Sequence, residues 1–255
     1  MPHCLAQPLS FHLPKAAMTS AVRLLTVSSS IVLLAACVGP VPRLDAPAAT
    51  LSRIKTVAVI RMPEPLNYTV QNPGHPGMYF GMIGGLVAAA DQSSKEKRLL
   101  AAFKVRGVAL SSKMAERIAS GLATAGYDTR LEDAPPDIYG KDAKVAFEII
   151  KSSADAVLVV APTMVGFTAG TPASAYVPSL QATATLLDKD RRQQLYRGFF
   201  SAGLGPPAKG WTQAAPATIT FADFEILVTN VDASASALEN AGLAISERVI
   251  ADLKR

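Results

Sequence analysis

A mostly apolar run that ends at a cysteine constrains this sequence most, because it decides which residues belong to the folded domain. Residues 24–36 are apolar or alanine apart from four hydroxyl residues, Arg23 precedes them and Cys37 follows. This order is typical of a secretory signal peptide. The run has 13 residues, whereas a membrane-spanning helix needs about 20. The sequence therefore predicts a signal peptide over residues 1–36, with Met18 as an alternative start of translation.

The end of that run resembles the lipobox of bacterial lipoprotein signal peptides, in the order Leu34, Ala35, Ala36, Cys37. The resemblance implies that the Cys37 thiol receives a diacylglyceryl group, that cleavage occurs before it, and that the new amino group is acylated. Two or three acyl chains hold a soluble domain on a bilayer, whereas one gives marginal binding. Because Val38 follows where an aspartate would signal inner-membrane retention, the resemblance also implies the periplasmic face of the outer membrane.

The composition after the cysteine changes to a proline- and alanine-rich segment without periodicity. We interpret residues 37–52 as the lipidated cysteine and a tether of about 45 Å if extended at about 3.1 Å per residue. Residues 53–255 are predicted to form a single periplasmic domain, which includes a glycine-rich apolar segment at 78–90.

Charge and cysteine content give no indication of a nucleic-acid partner and no pair of cysteines for a disulfide. Loss of residues 1–36 removes Lys15 and Arg23 and no acidic residue, which leaves 23 basic and 20 acidic residues and a net charge of +3. Neither this balance nor any basic cluster with aromatic residues indicates nucleic acid as a partner. Cys4 lies in the removed part, so the mature chain has one cysteine and no disulfide.

The hydrophobic pattern predicts an α/β fold, in which a mixed sheet carries packed helices in two or three layers. The domain begins with a β-branched run that is typical of a buried strand, and it ends with an amphipathic helix. An alternating segment, a turn and a second alternating segment predict a β-hairpin. The predicted elements are strands at 55–60, 127–131 and 156–161, helices at 112–125 and 141–153, the hairpin at 180–201, and the helix at 238–253. The first of these helices is expected to begin at Ser111 or Ser112 and to end at Gly126.

Three of these segments, "KTVAVI", "SSKMAERIASGLATAGYDTRL" and "SADAVLVVAP", resemble in their order the envelope α/β domains of CsgG-like lipoproteins and the amino-terminal domain of TolB. The resemblance covers roughly residues 55–187 and the last helix. It implies a role in export, assembly or envelope integrity, and it carries over no catalytic residue.

His75 is the only histidine of the predicted mature chain, so it is the only side chain that could complete a serine-histidine catalytic pair. It lies between Pro73-Gly74 and Pro76-Gly77, which indicates an exposed turn. One histidine without a free cysteine does not provide a zinc site. No phosphate-binding loop has the required spacing, and we predict neither a metal nor a cofactor.

The segment at 78–90 has no charged residue. On a helix, Gly81, Gly85 and Ala89 form a smooth stripe that allows another backbone to approach closely. One interpretation is a core helix packed against the sheet. The other is a contact site, with Tyr79 and Phe80, that inserts into the membrane or packs against identical segments in a ring. In its position the segment resembles the membrane-inserting excursions of the CsgG-like channel proteins.

These observations leave three hypotheses for function. The favoured one is a non-enzymatic, membrane-anchored lipoprotein that binds a protein partner or itself. The alternative is a subunit of an oligomeric CsgG-like export channel. A tethered envelope hydrolase that uses His75 is the third.

Overall fold

A seven-stranded mixed sheet forms the centre of the computed structural model, which describes residues 42–73, 75–79, 81–140, 143–170, 175–203 and 209–255. The strand order is β3-β1-β4-β5-β6-β7, and the short β2 lies beside the second half of β4. β1 is parallel to both of its neighbours, β3 and β4, and β2 is parallel to β4. β5 is antiparallel to both β4 and β6, and β7 is parallel to β6. The strands are β1 (Thr56–Arg61), β2 (Thr69–Gln71), β3 (Asp128–Asp133), β4 (Ala156–Ala169), β5 (Tyr176–Asp188), β6 (Gln194–Gly203) and β7 (Thr212–Pro216).

The main helices pack on one face of this sheet, where they share one hydrophobic core with it. They are α1 (Ala48–Leu51), α2 (Gly81–Arg106), α3 (Leu110–Thr124), α4 (Phe224–Thr229) and α5 (Val231–Leu253), and two 3-10 turns lie at Pro76–Tyr79 and Phe147–Ile149. Residues Arg43–Arg255 form one compact unit that contains every residue of both hydrophobic cores.

The alternation of side chains along β1 explains why there are two cores. Val57 and Val59 point into the core under the helices, whereas Ala58 and Ile60 belong to a second, smaller core on the other face. Successive residues of a strand point to opposite faces, so a strand buried on both faces must be apolar at nearly every position. The β-branched run of the sequence meets this demand.

The predicted fold class is confirmed: the structure is an α/β domain with a mixed sheet and helices packed against it. The hairpin is β5 and β6, and the closing amphipathic helix is the carboxyl-terminal part of α5. β4 extends well beyond the predicted strand, because its second half pairs with β2 on one side and with the start of β5 on the other.

The predicted helix at 141–153 is wrong. Of residues 143–153, only Phe147–Ile149 form a single 3-10 turn, and Ala143 has a left-handed φ of 55°. The chain instead folds back on itself, since the Ala146 amide donates to the Ile138 carbonyl at 2.8 Å. Val145, Phe147 and Ile149 all pack against the second core. The spacing of these three residues by two therefore reflects how an irregular segment packs its side chains against the second core, and it does not indicate a helix.

The predicted start of α3 needs correction as well. No side chain of α3 caps it; the carboxylate of Glu64, from the loop after β1, accepts the amides of Ser111 and Ser112 at 2.9 and 3.0 Å. The predicted end is confirmed, because Gly126 has a left-handed φ of 92° and its amide donates to the Ala123 carbonyl. Glycine takes this conformation without steric cost.

The segment before β1 is attached to the domain, which shortens the tether predicted over 37–52. Leu44 forms a bridge with Arg197 of β6, and the side chain of Leu51 in α1 is buried in the core. Leu51 and the partly buried Ala46 hold the segment in place, because burying their side chains removes apolar surface from water. Cys37 lies outside the described residues.

Candidate functional site

A groove with a volume of about 420 Å³ lies between β2 and the amino-terminal half of α2. Its walls come from β2 and the loop that follows it, from α2, and from the first residue of β5. Its polar side chains are Gln71, Asn72, His75, Asp91, Gln92, Lys95 and Tyr176. A concave site with a few converging polar groups is the usual form of a binding site.

Small residues of α2 keep the groove open. Gly85, Ala88 and Ala89 line it, and a Cβ atom added to Gly85 would meet no other atom within 4 Å. Two members of the predicted stripe, Gly85 and Ala89, therefore border open space, whereas Gly81 begins α2 with a left-handed φ of 62°. Close approach of another backbone to this stripe remains a prediction.

An ion pair on α2 forms the charged end of the groove. Lys95 Nζ lies 2.6 Å from Asp91 Oδ2, one helical turn away. Partial burial opposes the charge of Lys95, but Asp91 and the neighbouring Tyr176 hydroxyl outweigh it and raise the pKa of Lys95. The amine therefore stays protonated at neutral pH, so it can donate hydrogen bonds but cannot act as a base or nucleophile.

His75 lines this groove instead of standing in an exposed turn, as the sequence had indicated. Its side chain is 24% exposed, and its Nε2 lies 3.8 Å from Asp91 Oδ2. Its Nδ1 accepts the Gly77 amide at 3.0 Å, so the neutral ring carries its proton on Nε2. The chain does turn before His75, since the His75 amide donates to the Asn72 carbonyl at 3.0 Å, but the sequence did not show what this turn packs against.

The loop that follows β2 contributes one buried polar atom that has no partner in the described part of the chain. Asn72 Oδ1 is buried and has no hydrogen-bond donor among the described residues. Beside it, Glu96 Oε1 accepts the Val70 amide at 3.3 Å and the Gln92 side chain at 3.0 Å. An unpaired buried acceptor costs free energy, so Asn72 is a locally unfavourable element of this loop.

The groove lacks the side chains of the commonest nucleophiles. None of its described lining residues is a serine, threonine or cysteine, so His75 has no partner of these three types to activate there. Within the described parts of the chain, no cluster of three or more histidine, cysteine, aspartate or glutamate side chains could hold a metal ion.

The other side of the α2 amino terminus is exposed. Met82, Ile83, Leu86 and Val87 point away from the domain, and only Gly84 and Ala88 of this part of α2 are buried. The interpretation of this segment as a core helix is therefore wrong for its first turns, although Leu99 and Phe103 further along α2 are fully buried. Phe80 lies outside the described residues, and the structure describes the backbone of Tyr79 only.

A second cavity, of about 500 Å³, lies near the carboxyl ends of β1 and β3 and includes Glu64 and Tyr139. Ligands of α/β proteins often bind at this edge, on the amino terminus of a helix. Here the Glu64 carboxylate already occupies the amides at the start of α3. The amides that could bind an anionic ligand are therefore already bound to a side chain of the protein. The groove beside α2 is the better candidate for a ligand site.

The chain has only weak structural similarity to known proteins. No family model matches the sequence, and no curated protein matches it significantly. None of the helices in the described part of the chain has the length and hydrophobicity that crossing a membrane requires.

Among solved structures, the chain is similar to a PelC dodecamer from Paraburkholderia phytofirmans, with 14% identity, a TM-score of 0.34, and coverage of 83% of this chain and 94% of that one. It is similar to protein XCC0632 from Xanthomonas campestris, with 11% identity, a TM-score of 0.38, and coverage of 83% and 90%. For the lipoprotein GNA1162 from Neisseria meningitidis the values are 16%, 0.26, 58% and 81%. At these TM-scores the likeness carries no argument about what this chain does.

Proposed function

We propose that this chain is a lipid-anchored, non-enzymatic binding protein of the bacterial cell envelope, which holds an extended segment of a partner protein in the groove between β2 and α2. The groove is the observation that carries this proposal. It presents hydrogen-bonding side chains around an open volume of about 420 Å³, and none of its described lining residues is a serine, threonine or cysteine.

The orientation of β2 supports an extended peptide as the ligand. The Val70 amide donates to Glu96 of α2, so it points away from β4 and toward α2. Among the described strands β2 pairs only with β4, so no strand lies on its other edge, which faces α2. A peptide that adds to a strand edge gains main-chain hydrogen bonds, and the small residues of α2 leave room for its backbone.

The proposed anchor is Cys37, through the lipobox that ends there. Arg43 is fixed to the domain by its ion pair with Asp252, so five residues, 38–42, connect it to the cysteine. Fully extended, such a segment reaches about 20 Å, which is less than half of the length expected from the sequence. A tether this short would keep the domain near the outer-membrane surface on which the lipobox resemblance suggests it lies.

Site-specific photo-crosslinking in cells tests the groove. Benzoylphenylalanine at Gln92, which lines the groove, is expected to give one discrete adduct, whereas the same group at the exposed Ser94 is expected to give none. A Gly85→Phe substitution should abolish the Gln92 adduct, because the added ring enters the open space beside Gly85. Adducts that are equal at both positions, or that persist with Gly85→Phe, would exclude the groove as the binding site.

Native mass spectrometry of the protein extracted from membranes tests the anchor separately. The expected species is a triacylated chain that begins at Cys37, and a Cys37→Ser variant should lack the added lipid mass. An unmodified, soluble chain would remove the membrane from the proposal and leave the groove experiment unaffected.

The absence of catalysis is tested by His75→Gln in a strain that lacks the chromosomal gene. Glutamine keeps a side-chain amide that can hydrogen-bond in the groove but cannot shuttle a proton near neutral pH. A binding protein should still complement the envelope defect of that strain. Loss of complementation with normal abundance and a normal Gln92 adduct would favour the hydrolase hypothesis.

A further inference from the structure

The exposed side of α2 changes character halfway along the helix. In its first turns the exposed side chains are aliphatic: Met82, Ile83, Leu86 and Val87 are 85%, 79%, 68% and 58% exposed. Residues three and four apart lie on one face of a helix, so these four form a continuous stripe. Further along the same face the exposed residues include Lys97, Arg98 and Lys104.

The charges around this stripe are unevenly placed. Residues 65–90 contain no aspartate, glutamate, lysine or arginine. The two acidic residues of α2, Asp91 and Glu96, point toward the groove and β2, where they contact Lys95 and the Val70 amide. The face therefore presents aliphatic side chains at one end and basic ones at the other.

Neighbouring helices bring two exposed carboxylates near this face, and each lies in an ion pair. Glu225 of α4 binds Arg98 through both oxygens, at 2.6 and 2.7 Å. Asp232 of α5 lies 3.4 Å from Arg106. Among the described residues, Lys97 and Lys104 form no ion pair, so they supply the free positive charge of the face.

We propose that this face of α2 binds the surface of an anionic lipid bilayer. The aliphatic stripe enters the boundary between headgroups and acyl chains, and Lys97 and Lys104 contact lipid phosphates. Helices that lie in this plane have such an apolar face and basic residues beside it, and each basic residue near an anionic surface adds attraction. The aliphatic part, about ten residues, is about 15 Å long, half of the hydrocarbon thickness of about 30 Å, which suits a helix lying in the interface.

A second copy of the chain fits this face less well than lipid does. Four aliphatic side chains form a patch of several hundred Å² at most, whereas a stable protein interface buries about 800 Å² on each partner. The stripe also offers no polar group that would fix the orientation of a protein partner. Lipid chains do not require such a group. The inference does not depend on acylation of Cys37.

Vesicle flotation of the unlipidated domain, residues 43–255, tests this inference, since this unit contains both hydrophobic cores. Vesicles of phosphatidylethanolamine and phosphatidylglycerol provide the anionic surface, and phosphatidylcholine vesicles provide a neutral one. We expect flotation with the anionic vesicles and a partition coefficient lower by about tenfold or more for Ile83→Ser/Leu86→Ser, because both exposed aliphatic groups lose their apolar contact.

Val105→Ser is the matched control, because Val105 is 92% exposed on the same helix but lies in its basic half. Its partition coefficient should change by less than about twofold. Lys97→Gln/Lys104→Gln should weaken binding to anionic vesicles and remove its salt dependence. Failure of the wild-type domain to float, or equal flotation of the Ile83→Ser/Leu86→Ser variant, overturns the inference. The inference is also overturned if sedimentation shows that the wild-type domain is a dimer, that the Ile83→Ser/Leu86→Ser variant is a monomer, and neither protein floats.

Discussion

The guanidinium of Arg43 donates to the carboxylate of Asp252 at 2.6 Å, although the two residues are 209 positions apart. The Tyr196 hydroxyl of β6 donates to the same carboxylate at 2.7 Å, and Arg43 also donates to Thr212 of β7 at 3.0 Å. Burial, together with the Asp252 carboxylate, raises the pKa of Tyr196. This cluster ties the beginning of the domain to the last turn of α5 and to the sheet.

Replacement of Arg43 by methionine should lower the free energy of unfolding by about 1–2 kcal/mol. The variant leaves the partly buried Asp252 carboxylate with Tyr196 as its remaining side-chain donor, and a charged hydrogen bond is worth about 1.5–3 kcal/mol before the partial exposure of Arg43 is considered. Urea unfolding measures the change. A double-mutant cycle with Asp252→Asn should give a stabilising coupling energy between the two residues. Strict additivity of the two single-variant effects would show that the pair does not contribute to stability.

The amino terminus of α3 depends on Glu64. Replacement of Glu64 by alanine should lower the free energy of unfolding by about 1 kcal/mol, as loss of a helix cap does, because the amides of Ser111 and Ser112 lose their acceptor. Glu64→Gln should be intermediate, since one oxygen and no charge remain near the helix dipole. Thermal unfolding of both variants checks this order, and a Glu64→Ala variant as stable as wild type would contradict it.

Glu239 predicts how the stability of the domain varies with pH. This buried carboxylate lies 2.7 Å from Arg106 and 2.5 Å from Lys113. Burial opposes its charge, but these two cations and the Ala109 amide outweigh burial and lower the pKa of Glu239. A lowered pKa in the folded state means that the contribution to stability is complete above the ordinary value of 4.5 and is lost as the pH falls through the folded-state value.

We therefore expect Glu239→Gln to be less stable than wild type by about 1–2 kcal/mol at pH 7, since Lys113 is half-exposed and its ion pair is partly screened. The difference should shrink as the pH falls below 4.5. Urea unfolding of both proteins across this pH range measures it. A difference that stays constant with pH would show that Glu239 contributes through packing and not through its charge.

Local patterns were sufficient for the elements whose burial is regular. The β-branched run of β1 and the alternation of β5 and β6 reflect side-chain demands that act within one strand, and both were predicted. The spacing of apolar residues alone could not distinguish a helix from the irregular chain around Val145. Partly buried side chains two residues apart can also pack against the second core. The missing information was the position of Ile138, which pairs with that segment.

The groove is less accessible to sequence reasoning. Asp91 and Lys95 lie four apart, and their pairing follows from helical geometry. Asn72 and Tyr176 join them only because β2 and β5 flank the second half of β4. That arrangement arises from strand pairing between distant segments, for which these residues give no local signal. His75 was recognised as unusual, but the groove around it is a property of the tertiary structure.

Two glycines distinguish a close helix contact from an open face. A Cβ atom on Gly121 of α3 would overlap with the Ile250 side chain of α5, whereas one on Gly85 of α2 meets no atom within 4 Å. Gly121→Ala should therefore lower the free energy of unfolding by about 1–2 kcal/mol through overpacking. Gly85→Ala should raise it by about 0.5–1 kcal/mol, because alanine favours the helix without a steric cost. Urea unfolding of the two variants measures both changes, and a loss of stability in Gly85→Ala would mean that the face of α2 around Gly85 packs against part of the protein.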